Sequence, residues 1–427
     1  FLFNPDAQFF TNYSLLRPDG TGSVEGPVQA ALQFKNGDLW IGCWGIGVYA
    51  YDKNLTPIAL PASLRPHQTY LSVWCMLQDK IDGKVWIGMQ GGSLAIYDPT
   101  TGNTEMLTLP VFEGRTIRQM TQDKEGNIWF GCQNGQVIKW DRTISLGDTR
   151  EGYTRILKSG LVQRLYTDNH GYIWVGTLAH GILKVHPSTG KVLEQIKNTG
   201  EEKFRLLAES VNDVLQYNDS LYIISTGGLN IYNSRTKQVT HITTRDGLPA
   251  NSVLCMQKDS QGVLWLGMIN GLCRMNLEKR IFTFYDRRDG ISDDNFNVGG
   301  AYTMNDGSMF FATDHNFLVF DPKRIMQASV PGDVRITEFR LANKPLRLDS
   351  LGKLERIEIA YDINSMTIEF GSLSYLKQNK IMYYYMLEGL DKDWIAADEE
   401  RHQAVYNYLA PGNYVFKVRA ENGDGIS

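Results

Sequence analysis

An adjacent acidic pair, Asp293 and Asp294, is the clearest starting point for chemistry in this sequence. Glycoside hydrolysis uses two carboxyl groups about 5–9.5 Å apart in a cleft. Two consecutive aspartates in a polar loop more often cap a turn or face solvent. No other acidic pair lies in a comparable loop, so we interpret these residues as turn residues and predict no catalytic residue in this chain.

The sequence indicates no metal centre and no cofactor. Its seven histidines show no HxH or HExxH spacing, and its five cysteines include no CxxC pair. The segment Asp123–Gly126 resembles part of a calcium loop or of the Asp-box of sialidases, but Trp129 follows it and the other ligand positions are missing. We therefore interpret Asp123–Gly126 as a tight turn between two strands.

A short strand with an aromatic residue at its centre recurs along the chain, and its copies must position any functional group. The clearest copy lies in Lys84–Asp98, where the strand around Trp86 is followed by a Gly91-Gly92 turn and a second strand. One hairpin of this size cannot bury its own apolar face, so it must be repeated. The aromatic residue of the seven copies occupies positions 40, 86, 129, 174, 222, 265 and 310.

Each copy has room for four strands, which we label A to D. Strand A leads through a Gly-containing turn to strand B, which carries the aromatic residue. A second Gly turn leads to strand C and then to an outer strand D. Four strands per ~40–50 residues, repeated several times, are typical of a β-propeller. The sequence therefore predicts an all-β protein that begins with a seven-bladed β-propeller over residues 1–325.

Recurrent positions in these copies predict packing. The Trp of strand B recurs in five copies, which indicates contact between blades and not ligand stacking. Cys43 and Cys132 share the position after the strand B glycine, where other copies have Met, Thr or Ser, so we predict buried free thiols. A β-branched residue stands nine positions before the turn glycine in the better-preserved copies: Val28, Ile117, Val162, Val253 and Val298.

The two ends of the propeller are predicted to meet. The seventh copy has strands A to C but no strand D, and we expect Phe9–Ser14 to supply it, because closure removes exposed strand edges. The segment Phe1–Pro5 resembles the end of a strand C, which predicts that the natural protein extends further in the N-terminal direction.

From residue 330 onwards the strand pattern changes. We predict an immunoglobulin-like or fibronectin-like β-sandwich over residues 330–427, truncated at its C-terminal end. Tyr383, Tyr384 and Tyr385 are expected to alternate between core and surface. The expected strands are Val334–Leu341, Arg356–Ala360, Ser365–Phe370, Lys380–Glu388, Gln403–Leu409 and Asn413–Glu421.

Composition excludes two classes of function. A net charge of −4 argues against nucleic-acid binding, which needs a basic surface. The sequence has no run of about 18 apolar residues, so none of its segments is predicted to span a membrane. A hydrophobic content of 42% is ample for the cores of a propeller and a sandwich.

The repeat resembles that of the two-component-regulator propeller family, whose units read roughly Asp-x-x-Gly-x-Leu-Trp-Ile-Gly followed by Gly-Gly-Leu-x-x-Tyr-Asp. The segments Tyr383–Trp394 and Leu409–Asn422 resemble the Tyr-rich sandwich that follows such propellers. Asp293–Asn297 and Phe320–Pro322 resemble the atypical last repeat. The resemblance covers nearly the whole chain, in the order found in the family.

The resemblance implies the periplasmic sensor region of a hybrid two-component system, of the kind that Bacteroides uses to detect glycans. It implies an oligosaccharide ligand, an upstream second propeller, a homodimer formed through the sandwich, and a membrane helix beyond Ser427. A kinase and a DNA-binding output domain would follow that helix. The sensor would control glycan-utilisation genes, and no catalytic domain lies in this chain.

Binding residues are expected where the repeat is broken, on the face where the D–A connections and B–C turns open. Aromatic rings there can stack on sugars, and Arg, Asn and Gln can donate to hydroxyl or carboxylate groups. The candidate ligand-binding residues are Trp44, His67, Trp74, Arg118, Gln133, Arg164, His180, Asn212, Asn270, Asp293, Asn295 and His315.

Two other functions are considered. A polysaccharide lyase or glycoside hydrolase predicts clustered carboxylates or a Tyr/His/Arg set around the central channel. A protein-interaction scaffold predicts a large exposed apolar patch in place of a polar pocket.

Overall fold

A computed structural model describes residues 9–17, 22–65, 72–158, 160–328, 333–342, 344–346, 356–360, 363, 365–372, 381–398 and 401–422. The chain forms two compact units, one over Gln8–Pro322 and the other mainly over Lys323–Ser427. The predicted fold class is confirmed, because the first unit is a seven-bladed β-propeller and the second is a β-sandwich. The helices found in the described residues are one α-helix, Pro322–Ala328, and 3-10 turns at Gln90–Gly92, Pro110–Phe112, Glu202–Phe204, Thr244–Asp246 and Arg287–Asp289.

Blades 1 to 6 are each built from four consecutive strands, paired antiparallel in the order A–B–C–D. The A strands of neighbouring blades pack against one another around the propeller axis. The four strands of each blade, in the order A to D and from blade 1 to blade 6, are Val28–Gln33, Leu39–Cys43, Gly47–Tyr51, Pro57–Ile58; Val73–Gln78, Val85–Met89, Ser93–Tyr97, Thr104–Thr108; Ile117–Gln122, Ile128–Cys132, Gln136–Trp140, Tyr153–Lys158; Val162–Thr167, Ile173–Thr177, Ile182–Val185, Val192–Ile196; Asp213–Gln216, Leu221–Thr226, Gly228–Asn233, Val239–Ile242; and Val253–Lys258, Leu264–Met268, Gly271–Asn276, Ile281–Tyr285.

Blade 7 takes its outer strand from the opposite end of the propeller sequence. Its strands A to C are Phe296–Thr303, Met309–Thr313 and Asn316–Phe320. The N-terminal strand Thr11–Leu16 pairs antiparallel with strand C and closes the ring. The short strand Ser23–Val24 continues this sheet as a fifth strand.

The Asp-x-x-Gly turns between strands A and B are held by the tryptophan that follows them. In blade 4 the Asp168 carboxylate accepts the backbone N–H of Tyr172 at 2.9 Å and the indole N–H of Trp174 at 2.9 Å. The indole is fully buried, which confirms that the strand B tryptophan packs inside the propeller. The same pairing recurs in blades 3 and 6, between Asp123 and Trp129 and between Asp259 and Trp265.

A glycine near the end of strand B lets the next blade approach closely. A Cβ atom placed on Gly131 would lie 2.5 Å from Cγ1 of Val162, and one placed on Gly42 would lie 2.4 Å from Cγ1 of Val73. Carbon atoms pack best at about 3.5–4.0 Å, so no larger residue fits there without displacement of the neighbouring blade. The apolar residue that begins strand A therefore fills the space left by the glycine of the preceding blade.

The predicted β-branched position of strand A is correct in blades 1, 3, 4 and 6, and wrong in blade 7. Phe296, and not Val298, lies opposite Thr313 at the end of strand B. The reason is a bulge between Phe296 and Ala301, which inserts extra residues into this strand. All five cysteines are buried free thiols, as predicted.

The second unit contains two antiparallel sheets. Tyr383 is buried in the core between them, Tyr385 packs against that core, and Tyr384 lies beside Arg419 on the other side of the strand, which confirms the predicted alternation. One sheet is formed by Lys344–Leu346, Val334–Leu341, Ser365–Ser372 and Gln403–Asn407, and the other by Ile395–Ala396, Ile381–Glu388 and Val415–Asn422.

The strand predicted at Arg356–Ala360 is wrong. This segment is exposed and has no strand pairing. The edge of the sheet beside Val334–Leu341 is occupied by Lys344–Leu346, which is closer in sequence and folds back directly onto it. The alternation of Ile357 and Ile359 with charged residues suggested a half-buried strand, but both isoleucines are exposed.

We expect Asp168→Ala to destabilise the propeller by about 3 kcal/mol, because it leaves the buried indole of Trp174 and the hydroxyl of Tyr222 without their acceptor. The measurement is the denaturant midpoint followed by tryptophan fluorescence, since every Trp except Trp394 precedes residue 322. The control is Asp98→Ala, which removes a solvent-facing turn carboxylate that accepts Thr100 N–H. Equal losses in the two variants would contradict this role of Asp168.

Candidate functional site

The B–C turns and the segments that precede strand A lie on one face of the propeller. In blade 2 the backbone N–H of Gln90 donates to the carbonyl of Ser72, directly before strand A. The candidate face is therefore a ring of loops fixed by the same backbone bond in successive blades. The equivalent bonds join Trp44 to Pro27, Gln133 to Thr116, Leu178 to Leu161, Ile269 to Ser252 and Asp314 to Asn295.

Strand A is bulged where it meets this face. In blades 2 and 3 the register shifts between Val73 and Cys75 and between Ile117 and Gln119. A bulge leaves its extra residue outside the hydrogen-bonded ladder and redirects the side chain. The extra residues here are Trp74 and Arg118, so two predicted site residues owe their orientation to an irregularity that the sequence pattern did not indicate.

These bulges bring two predicted residues into contact and leave a third close by. The guanidinium of Arg118 lies 4.3 Å from the centre of the Trp74 ring, a cation–π contact between blades 2 and 3. Trp44 is 46% exposed and donates its indole N–H to Oε1 of Gln90 at 2.9 Å. Because Gln90 is bound to Ser72, the Trp44 ring lies beside the start of the strand that carries Trp74.

Arg164 forms a second part of the site, closer to the propeller axis. Its Nε atom lies 2.9 Å from Oδ1 of Asp213 in blade 5, a residue that was not predicted. Asp213 is buried and also accepts the backbone N–H of Met256 from blade 6 at 2.9 Å. Burial raises the pKa of Asp213, while Arg164 and the backbone amides act in the opposite direction. This carboxylate therefore joins three blades.

The inner strand of blade 7 reaches towards Arg164 across the axis. Its bulge contains Gly299 at φ +67°, and a Cβ atom placed there would lie 3.5 Å from Nη1 of Arg164 and 3.9 Å from Nε2 of Gln119. Gln119 and Arg164 belong to blades 3 and 4. At this level the axis is thus occupied by backbone and side chains, which gives the candidate face a floor.

A separate group of predicted residues lies in blade 7. Oδ2 of Asp293 accepts the backbone N–H of His315 at 3.0 Å and lies 3.1 Å from its Nδ1. Burial raises the pKa of Asp293, but the hydrogen bonds from Asn295, His315 and Thr313 outweigh it, so the pKa is lowered. Asn295 donates to the carboxylate of Asp314 in the same loop.

The remaining predicted residues are placed separately. Nδ1 of His180 accepts the backbone N–H of Gly160 at 2.9 Å, and Asn212 donates to the carbonyl of Val253 at 2.9 Å, so both side chains already support loops. Gln133 is exposed in its B–C turn, and Asn270 is exposed with a positive φ of 73°. His67 lies outside the described residues.

The acidic pair that could suggest catalysis, Asp293 and Asp294, is engaged within the protein. Asp294 pairs with Arg287 at 2.9 Å, and Asp293 is occupied by His315. A general acid for glycoside cleavage needs a raised pKa, whereas that of Asp293 is lowered. No cluster of three metal-ligating side chains occurs in the residues that the structure describes.

The opposite face carries a polar depression of about 400 Å³ between blades 2, 3 and 4. Asp123 and Asp168, which line it, accept hydrogen bonds from the indole N–H groups of the buried Trp129 and Trp174. Lys80 and Lys124 also line it. The two carboxylates that line this depression are therefore already engaged.

The fold and the position of the face define a class, namely a seven-bladed propeller joined to an immunoglobulin-like sandwich. Within this class, the chain carries Two component regulator propeller repeats, matched at residues 112–134 and 247–270, and a Y_Y_Y domain, matched at residues 374–427. The family resemblance inferred from the sequence is therefore confirmed.

The known proteins that this chain resembles are longer than the chain itself. The chain is 22% identical over 365 residues to Histidine kinase P4 of Formosa agariphila, covering 81% of this chain and 26% of that protein. It resembles the extracellular domain of the hybrid two-component system BT3049 of B. thetaiotaomicron with a TM-score of 0.65 and 22% identity, covering 98% of this chain and 56% of that one. The corresponding domain of BT4673 gives a TM-score of 0.53 and 19% identity, covering 97% and 57%.

These likenesses relate the chain to the sensor regions of two-component systems, and the structural ones establish the fold. The chain spans about a quarter of the curated relative and rather more than half of the two solved domains. Among the residues described, no helix has the length and apolar character needed to cross a membrane.

We expect Asp213→Asn or Arg164→Met to destabilise the propeller by about 3 kcal/mol, because each leaves a largely buried group without its partner. The double variant should lose clearly less than the sum, and denaturant midpoints of all four proteins measure this coupling. The exposed pair Arg155 and Glu113, changed to Met and Gln, provides the control and should show no measurable coupling. Additive effects at Arg164 and Asp213 would rule out the link between blades.

Proposed function

We propose that this chain is the extracytoplasmic, periplasmic sensing part of a hybrid two-component system, and that it detects oligosaccharides to control glycan-utilisation genes. The observation that carries the proposal is the candidate face, where non-repeating aromatic and polar groups replace the repeated residues of the scaffold. The family matches and the solved extracellular domains support the sensor class.

The face offers the contacts that a saccharide requires. The Trp44 indole is nearly half exposed and held in place by Gln90, so one ring face is available for stacking on a sugar. Its N–H is already used, which fixes the ring orientation without a ligand. Arg118, Gln133 and Asn270 supply further donors around the same ring of loops.

Signalling follows from differential binding. A ligand that binds one arrangement of the sensor better than another shifts the population towards it. In our proposal the sandwich passes this shift to a helix beyond Ser427, and an upstream propeller and a second copy of the sensor complete the assembly. The full-length protein would carry the kinase, while this chain only binds.

An enzyme is the main alternative function. The engaged state of Asp293 and Asp294 favours a turn role over a role in glycoside cleavage. A scaffold is the second alternative; the large apolar residues exposed in the described B–C turns, Trp44, Leu178 and Ile269, lie on separate blades.

We expect one or more members of a panel of neutral and acidic oligosaccharides to raise the melting temperature of this chain, since a ligand of the native state stabilises it by mass action. Trp44→Ala should weaken the binding about 10-fold, as expected for loss of one stacking contact worth about 1–1.5 kcal/mol. Titration calorimetry measures the change.

Trp394→Ala is the matched control, because Trp394 is also partly exposed but lies in the sandwich. If Trp44→Ala and Trp394→Ala weaken sugar binding equally, the sugar does not stack on Trp44. Consumption of the sugar during the titration would establish an enzyme and end the sensor proposal.

A further inference from the structure

One cation on the candidate face, Arg118, has no anionic partner among the residues that the structure describes. Nε of Arg118 is buried and makes no hydrogen bond within the described part of the chain, and the same holds for the indole N–H of Trp74 beneath it. The segment 66–71, which lies outside the described residues just before this strand, contains no Asp or Glu. A partly desolvated guanidinium therefore stands beside an aromatic ring without a counter-charge.

Several other arginines of the propeller have an acidic partner. A cation removed from water without an anion is energetically unfavourable, and most partly buried arginines are therefore paired. Burial lowers the pKa of the Arg118 guanidinium. Pairs of the usual kind join Arg142 to Asp79, Arg164 to Asp213 and Arg155 to Glu113.

The location of Arg118 is that of a ligand contact. Both Trp74 and Arg118 are the extra residue of a strand A bulge, at the end of the strand that opens on the candidate face. Trp44 lies next to them through Gln90 and Ser72. A sugar ring stacked on Trp44 would thus place its substituents towards Arg118 on the neighbouring blades.

We propose that Trp74 and Arg118 form an anion-recognising subsite, and that the saccharide sensed by this chain carries a carboxylate or a sulfate ester at that point. The inference rests on the proposed function, because it names the chemical class of the same ligand. A planar guanidinium donates two parallel hydrogen bonds to either group, and the Trp74 ring holds it in place from one side.

The test compares charged and neutral forms of the same sugar by titration calorimetry. The probes are an oligogalacturonate with its methyl ester, and an O-sulfated galacto-oligosaccharide with its unsulfated form. We expect the charged member of one pair to bind more tightly, and Arg118→Gln to weaken that binding about 10- to 100-fold while leaving the neutral form unchanged. Which pair shows the effect distinguishes a carboxylate from a sulfate ester.

The control is Arg155→Gln, which removes the same charge from an exposed ion pair of blade 3 and should leave binding unchanged. Arg118→Gln should keep or raise the melting temperature of the free protein, since it removes an uncompensated charge. A lower melting temperature would show that Arg118 is a structural group with a partner, and would overturn the proposal.

The proposed function and this inference fail differently. If a neutral sugar binds as well as its charged form and Arg118→Gln has no effect, the sensor remains and the anion subsite is wrong. If no oligosaccharide binds, the proposed function is wrong. The melting temperature in sodium sulfate, compared at matched ionic strength, then tests the subsite itself. Sulfate should stabilise the natural protein more than the Arg118→Gln variant, and equal stabilisation of the two would refute the subsite.

Discussion

The close approach of each strand B glycine to the next blade sets the geometry of the whole propeller. Where Gly131 faces Val162, no side-chain carbon fits between the glycine backbone and the valine side chain. The blades can therefore pack only at one spacing, and that spacing fixes where the loops of successive blades stand. The indoles of strand B fill the wider space further out. Asp123 and Asp168 accept the N–H groups of two of these buried indoles. A residue on the candidate face is thus positioned by contacts made deep inside the ring.

Much of the fold could be predicted, because these constraints repeat. Seven aromatic positions, five of them followed by a glycine two residues later, identify the blades, and the family matches agree. The prediction failed where the backbone departs from the repeat. In blade 7 the bulge in strand A places Phe296 where Val298 was expected. In the sandwich, Lys344–Leu346 forms the edge strand that was expected at Arg356–Ala360. Neither event leaves a mark on the periodicity of apolar residues.

The candidate site was less predictable than the fold for a related reason. Trp74 and Arg118 could be recognised as non-repeating residues, yet their contact depends on two bulges that shift the register by one residue. Asp213 was missed although it is an acid directly before the apolar residues Val214 and Leu215 of a strand, which is a usable signal for a buried charge with a partner. His180 and Asn212 show the opposite error: a polar residue in a loop is often needed by the loop itself.

The closure of blade 7 by Thr11–Leu16 has a consequence for the order of events during synthesis. This strand leaves the ribosome before the rest of the propeller, and its partner Asn316–Phe320 follows some three hundred residues later. At about 5–20 residues per second the wait is roughly 15–60 s. Until then Thr11–Leu16 lacks its strand C partner and blade 7 cannot form a complete sheet. The ring is thus completed only when nearly all of the propeller has been made, so that a shortened transcript or a stalled ribosome yields an open array of blades with two exposed edges.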